Sequence, residues 1–280
     1  MVVFQSLILK YQSFKEKICE NAIDAKDEKI IILYDRAMLD NKAYFENFRD
    51  FDYIMGENNK SEIEILDSYD IVLDLLSLAT CKPEKYNLSS NEARKESPLE
   101  ARILDQKTSA AWVGHRDMYL INSDVSVKEE FKTIKDIIDK KLSGKSIKNK
   151  ETISINNTLN DFSKYNDNNS RLIDIESLYL NIKADCYLEI QKRTYKNKTS
   201  IVAILQDNDY IYSNVKIDHN AYLELINRYY VINTEKYKQL SFIKNKQLFD
   251  IKFYNNKTIL EYEENKMKDR KSTRLNSSHT

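Results

Sequence analysis

Glycine and proline are scarce, with three and two in 280 residues. A phosphate-cradling Gly-x-x-x-x-Gly-Lys-Ser/Thr loop needs paired glycines and a following lysine. Gly56, Gly114 and Gly144 each stand alone, so the sequence holds no such loop. The three cysteines, Cys19, Cys81 and Cys186, make no Cys-x-x-Cys pair, and their spacing suits neither a disulfide framework nor a zinc site. They point to a reducing, cytoplasmic setting. Histidine is equally sparse, and His115 and His219 are too far apart in sequence to suggest a metal cluster. No apolar run reaches the roughly 18 residues of a membrane span, so no transmembrane segment is expected. The opening MVVFQSLILKYQ lacks the basic flank and small-residue cleavage site of a secretory leader. Neither sign of charge is in excess: 44 Lys and Arg against 44 Asp and Glu give a net charge of +0. General electrostatic capture of nucleic acid or of an anionic membrane is therefore not expected, and any basic site must be local.

What remains is a globular composition, 41% hydrophobic and 31% charged, long enough for one large domain or two of ordinary size. Phe4, Leu7, Tyr11, Phe14 and Ile18 recur at spacings of three and four, which predicts a helix with one apolar stripe packed on a sheet. Ile30 to Leu33 are consecutive apolar residues, as in a parallel strand covered on both faces. IVLDLLSL from Ile71 and MYLI from Met118 read the same way. Between them Ser97, Pro98 and Glu100 supply an N-cap, a first helical residue and a reciprocal cap. A further helix carries Val127, Phe131, Ile134, Ile138 and Leu142 on one face. Strand and helix alternate up to Leu142, which predicts an α/β domain with a parallel sheet over 1–145.

From Ser143 to Ser170 the text is rich in Asn, Ser and Lys, and 146–170 reads as a linker. Beyond it the period shifts toward two. CYLEIQKRTY, IVAIL, YIYSNVKI, QLFDIKFY and TILEYEE are short strand-like segments, with one helical interruption at NAYLELINRYY. This predicts an antiparallel β-rich (α+β) domain over 171–268.

The order LYDRAMLDNKAY, YDIVLDLLSLA, then NEARKESPLEARILDQKTSAAWVGHRDMYLINS resembles the P-loop NTPase domain shared by NadR-type kinases and the TRPL translocation defect protein family. The resemblance covers about half the chain. It rests on Asp35-Arg36 followed by Asp40 and Tyr44, on the segment from Arg94 to Glu96, and on AAWVGH to NS. It implies an ATP- or GTP-binding domain using Mg²⁺, N-terminally truncated here because the family's Walker A loop would precede residue 1. FIKNKQLFDIKFYNNKTILEYEE resembles the closing strands of a CYTH-like triphosphate-tunnel domain, whose glutamate-rich opening motif is not recognisable near Leu172 to Leu180. The end of the chain, DRKSTRLNSSH from Asp269, is what a common sequencing adapter encodes, so 269–280 is expected to lie outside the natural protein.

Asp35 stands where a strand-end carboxylate would orient Mg²⁺ or accept a proton, and Arg36 could hold a phosphate bidentately. The alternative is a capping carboxylate beside a surface arginine. Arg94 and Arg102 flank the Ser97 helix start and could close over transferring phosphates, or simply be solvated near Glu96 and Glu100. His115 reads as a structural hydrogen-bonder. Glu261 and Glu263 fall two apart on a strand and so share a face, where with Asp250 they could hold a divalent cation, or could form a polar outer face. Three functions remain open: a nucleotide kinase or NTPase; a nucleotide-switched regulator that binds a phosphorylated ligand such as a phosphoinositide headgroup; and a triphosphate-processing enzyme centred on the β domain.

Overall fold

In LYLNI and CYLEI alternate residues are apolar and share one face of the main sheet, whereas in RLIDI the apolar Ile173 and Ile175 fall on the opposite face, and this decides what covers each face. The structure, a computed structural model, describes residues 2–23, 30–86, 96–144, 150–167, 169–183, 185–207 and 210–263. Eight antiparallel strands form one sheet: β3 (Lys150–Ile155), β4 (Arg171–Lys183), β5 (Cys186–Tyr195), β6 (Lys198–Gln206), β7 (Ile211–Ile217), β8 (Val231–Lys244), β9 (Gln247–Phe253) and β10 (Thr258–Glu263), in the order β3-β10-β9-β8-β4-β5-β6-β7. Two tight connections, Lys196-Asn197 and Asn245-Lys246, place both residues at positive φ. Short polar residues such as Asn carry that conformation most easily.

One face of the sheet is apolar. Leu180, Leu188, Ile190 and Ala203 receive Tyr222 of α7 (His219–Arg228), and Leu240, Phe242, Phe249, Ile251 and Leu260 receive Phe162 of a 3₁₀ helix, Leu159–Tyr165. Each such side chain contributes about 1.5–3 kcal/mol when fully buried. The segment expected as a linker thus supplies β3, an edge strand, and the 3₁₀ helix that covers part of this core.

The other face carries polar side chains together with Ile173, Ile175 and Tyr237, and it too is largely buried, because the N-terminal layer lies across it. That layer comprises α1 (Val2–Ile23), a 3₁₀ helix Met38–Tyr44, α2 (Phe48–Glu57), α3 (Glu62–Leu66), β1 (Val72–Leu75), α4 (Leu78–Cys81), α5 (Pro98–Trp112), β2 (Met118–Ile121) and α6 (Val127–Leu142). The Ser-x-x-Glu pattern makes a reciprocal capping box at Ser61/Glu64, Ser97/Glu100 and Ser126/Glu129. Ile63, Ile65 and Leu66 of α3 join Trp112, Val113, Ile173, Ile175 and Tyr237 in one core that spans both layers. Gly114, at φ +89°, turns the chain against β4 so closely that a Cβ there would stand 2.9 Å from Ile173 Cδ1.

Several expectations are corrected. β1 and β2 pair in parallel, from Val72 opposite Met118 to Leu75 opposite Ile121, but they are the only parallel strands among the described residues. A P-loop NTPase sheet is not shown. Ile30 to Leu33 form no strand, and Leu33 is 77% exposed, because no neighbouring strand offers them hydrogen bonds. The second strand is shorter than its apolar run: after Leu75, Ser77 caps α4. On α1 the stripe Phe4, Leu7, Tyr11, Phe14 and Ile18 faces outward, and the helix docks instead through Leu9, through Gln12 to Asn41 (2.6 Å) and through Glu16 to Tyr69 (2.8 Å). On α6 it is Ile137, not Phe131, that is buried.

Candidate functional site

Between the N-terminal layer and the polar sheet face lies a cleft of about 1890 Å³. Its N-terminal wall includes Asp35, Arg36, Asp40, Asp74, Asp105 and Trp112. Its sheet wall includes Lys252 and Glu261 from one side and Gln206 and Asn214 from the other. Nine acidic side chains line it against four basic ones, a balance of −5. In such a field a bare polyphosphate is repelled, and a cation or a metal-complexed phosphate is favoured.

Asp35 is exposed at a bend and not at the end of a buried strand, which corrects the expectation of a strand-end site. Arg36 beside it sits at φ 68°, in the left-handed region that costs a non-glycine residue about 1–2 kcal/mol. Asp40 accepts from its helix's own Ala37 N–H (2.7 Å) and from Trp112 Nε1 (2.8 Å). Asp105 accepts from Ser77 N–H (3.2 Å) and Thr80 Oγ1 (2.5 Å). Asp74 projects from β1 among these carboxylates. Burial pushes its pKa up to about 6, Asp105 and Asp40 add to this, and the Ser109 hydroxyl and Arg36 oppose it. Arg102 lies on α5 with its Nε buried and without a hydrogen-bond partner. Arg94 and the tail 269–280 lie outside the described residues. His115 is structural: buried, it contacts the Tyr69 carbonyl through Nε2 (2.8 Å) and accepts Asp117 N–H at Nδ1 (3.0 Å). Burial lowers its pKa to about 4, so it is neutral at pH 7.

Lys252 and Glu261 line the sheet wall, and the buried Asp250 adjoins them through strand register. Asp250 of β9 lies directly opposite Ser241 of β8 and Glu261 of β10. Asp250 accepts from Ser241 Oγ (2.5 Å) and Gln239 Nε2 (3.1 Å), and Glu261 accepts from Lys252 Nζ (2.7 Å). Glu263 falls on the same face by alternation, but its side chain lies outside the described atoms. Among the described residues no three of His, Cys, Asp or Glu converge on a metal position. Asp35 and Glu261 share the cleft but not a ligand set.

A set of ion pairs that sequence reading did not single out joins the layers. Arg171, 2% exposed, donates to Glu62 (2.6 Å) and to the carbonyls of Ala111 and Val113. Arg193 donates to Asp67 and to the Gly114 carbonyl (2.5 Å). Glu62 also takes Lys42 (2.7 Å) and Lys196 (3.0 Å). Burial alone would raise the Glu62 pKa, but Arg171, Lys42 and Lys196 outweigh it and hold it below the ordinary range. The signal was present: Glu189, Gln191 and Arg193 occupy alternate positions of CYLEIQKRTY, so one face of that strand is polar throughout.

No protein-family model and no curated protein matches the chain. Solved structures similar to it include a conserved hypothetical protein from Pyrococcus furiosus, 17% identical, with 43% of this chain and 80% of that one covered at a TM-score of 0.31. The PH1819 protein from Pyrococcus horikoshii is 15% identical over 48% and 75% at 0.29. The inorganic triphosphatase NE1496 is 15% identical over 41% and 73% at 0.26. Likeness this slight carries no function to the present chain.

Proposed function

We propose that the sheet wall of the cleft binds a triphosphate-bearing small molecule as its divalent-metal complex and hydrolyses it, the chain being a metal-dependent phosphohydrolase. The observation that carries this reading is the cross-strand pair Asp250 and Glu261, facing one another in register with Lys252 beside them. Mg²⁺ is commonly held by one or two carboxylates together with substrate phosphates, and this pair fits that donor set. A bound divalent ion would neutralise phosphate charge and polarise the attacked phosphorus. Lys252 would neutralise a second phosphate, and Ser241 and Gln239 keep the Asp250 carboxylate oriented. The acidic balance of the cleft favours substrate that arrives already complexed.

Release of phosphate from tripolyphosphate with Mg²⁺ or Mn²⁺ tests the reading. Glu261→Gln and Asp250→Asn should each lower turnover by a hundredfold or more while the melting temperature stays within a few degrees. Turnover absent in the unaltered chain, or unchanged in both variants, overturns it.

A second reading, a nucleotide kinase or NTPase, places ATP or GTP with Mg²⁺ at the N-terminal wall, with Asp35 and Arg36 at the phosphates and Arg94 and Arg102 closing over them. What favours it is Asp74, a carboxyl of strongly raised pKa in a cleft beside a backbone outlier at Arg36. Without a glycine loop, binding of either nucleotide by this chain should not saturate below the millimolar range. Saturation at micromolar nucleotide would favour this second reading over the first. Binding of a phosphoinositide headgroup without turnover would instead make the protein a regulator.

A further inference from the structure

On β4, β5 and β8 the polar sheet face carries a second group of residues that neither the Asp250–Glu261 pair nor the ion pairs between layers use. Glu189 is 7% exposed and is held only by neutral donors, Gln191 Nε2 (2.7 Å) and Gln206 Nε2 (3.0 Å). Among the described residues no lysine or arginine pairs with it. A carboxylate this buried is costly to leave without a countercharge. Tyr179 lies directly opposite Glu189 in register and donates its hydroxyl to Glu235 (3.3 Å), which among the described residues is likewise without a cation. Its ring stands 5.9 Å from that of Tyr187.

A separate observation points to a missing donor at this place. Ser177 is 0% exposed, yet its Oγ has no hydrogen-bond partner. It lies directly opposite Gln191 on one side and Glu235 on the other, and one alternation from Tyr179 on the same face. Directly opposed residues have Cβ atoms about 5 Å apart and diagonal ones about 7–8 Å. Ser177 on β4 thus lies between Glu235 of β8, directly opposite it, and Glu189 of β5, its diagonal neighbour, so a donor beside its hydroxyl is flanked by both carboxylates.

We infer that this is a binding site for a primary ammonium group, and that the acidic cleft takes a linear polyamine whose end is held between Glu189 and Glu235. An ammonium has three N–H donors for three acceptors, and the faces of Tyr179 and Tyr187 suit a cation. The protein already shows the arrangement once: Lys252 Nζ lies 2.7 Å from Glu261 and 5.7 Å from the centre of the Tyr237 ring. A metal ion without substrate phosphates to complete its shell fits less well, since no three ligating side chains converge among the described residues. Gln206 lines the cleft and donates to Glu189, which sets the group next to the cleft, and the balance of −5 suits a ligand with several positive charges.

Calorimetric titration of the full chain with spermidine in about 0.15 M salt, where exposed charges are largely screened, tests the inference. Saturable binding is expected, weakened at least tenfold by Glu189→Gln and by Glu235→Gln. Ser177→Ala removes the orphan hydroxyl without adding an atom to this buried position and should also weaken binding; it decides the matter if Glu189→Gln fails to fold. Equal affinity in all variants, no saturation below the millimolar range, or Glu189-dependent binding of Mg²⁺ in place of spermidine overturns the inference. It does not rest on hydrolysis. Glu261→Gln should lower tripolyphosphate turnover a hundredfold or more and retain spermidine binding, so either reading can fail alone.

Discussion

Arg171 Nη2 lies 2.6 Å from Glu62 Oε2 across 109 residues of sequence, and it fastens the N-terminal layer to the sheet. Both side chains are almost fully buried, so removing one charge strands the other. Glu62→Gln should destabilise the chain by about 3–5 kcal/mol in urea unfolding. Lys196→Ala, which removes a partner whose side chain is 42% exposed, should cost under about 1 kcal/mol. Similar losses in both would mean that the layers are held by apolar packing alone.

Asp74 gives a pH dependence whose sign is fixed by its raised pKa. Because its carboxyl titrates at about 6 in the folded chain against an ordinary 3.8, the protonated form is favoured by folding. The associated stability is fully present below about pH 4 and is lost as pH rises through 6. That separation corresponds to about 3 kcal/mol. Asp74→Asn should therefore match the unaltered chain near pH 4 and exceed it in melting temperature at pH 7.5. A difference that stays constant across this range would place the titration elsewhere.

Gly114 combines a positive φ with a close approach. Gly114→Ala adds a methyl 2.9 Å from Ile173 Cδ1 in a left-handed conformation and should cost about 1–3 kcal/mol. Ile173→Val removes the Cδ1 atom. In the double variant the loss should be smaller than the sum of the two single losses, and strict additivity would show that the contact is not what matters.

The exposed stripe of α1 separates packing from pattern. Leu9→Ala should cost about 2–5 kcal/mol because Leu9 is 2% exposed. Phe14→Lys, at 62% exposure, should leave unfolding unchanged within about 0.5 kcal/mol and reduce self-association measured by sedimentation. A large loss at Phe14 would mean that the stripe is covered in solution.

These cases show what could be read from the residues. MYLI, CYLEIQKRTY and the Ser97 capping box were legible because their signals are local: a period of two, or a cap three residues from its partner. Ile30 to Leu33 misled because an apolar run shows that burial is wanted, while a strand also needs a partner to bond. β3 was missed in an Asn- and Lys-rich stretch whose pairing with β10 is set about a hundred residues away. The cleft was only half legible. Asp35, Arg36 and Glu261 line it as residues of the right kind, but Glu62, Arg171 and Glu189 acquire their roles from register and from the stacking of layers.

The position of β3 also bears on how the chain assembles. β4 to β7 follow one another in the sheet in sequence order and can pair as they emerge from the ribosome. β8 then returns past them, by way of α7, to the far side of β4. β3 is made before all of these, yet its sheet partner is β10, the last strand among the described residues. During synthesis β3 therefore waits with its hydrogen-bonding edge open while more than a hundred residues are added, and closing so long a loop is slow. An unpaired early strand of this kind invites pairing with another nascent chain. The lysines and asparagines around it, in GKSIKNKETISINN, have the composition of gatekeepers that oppose such pairing.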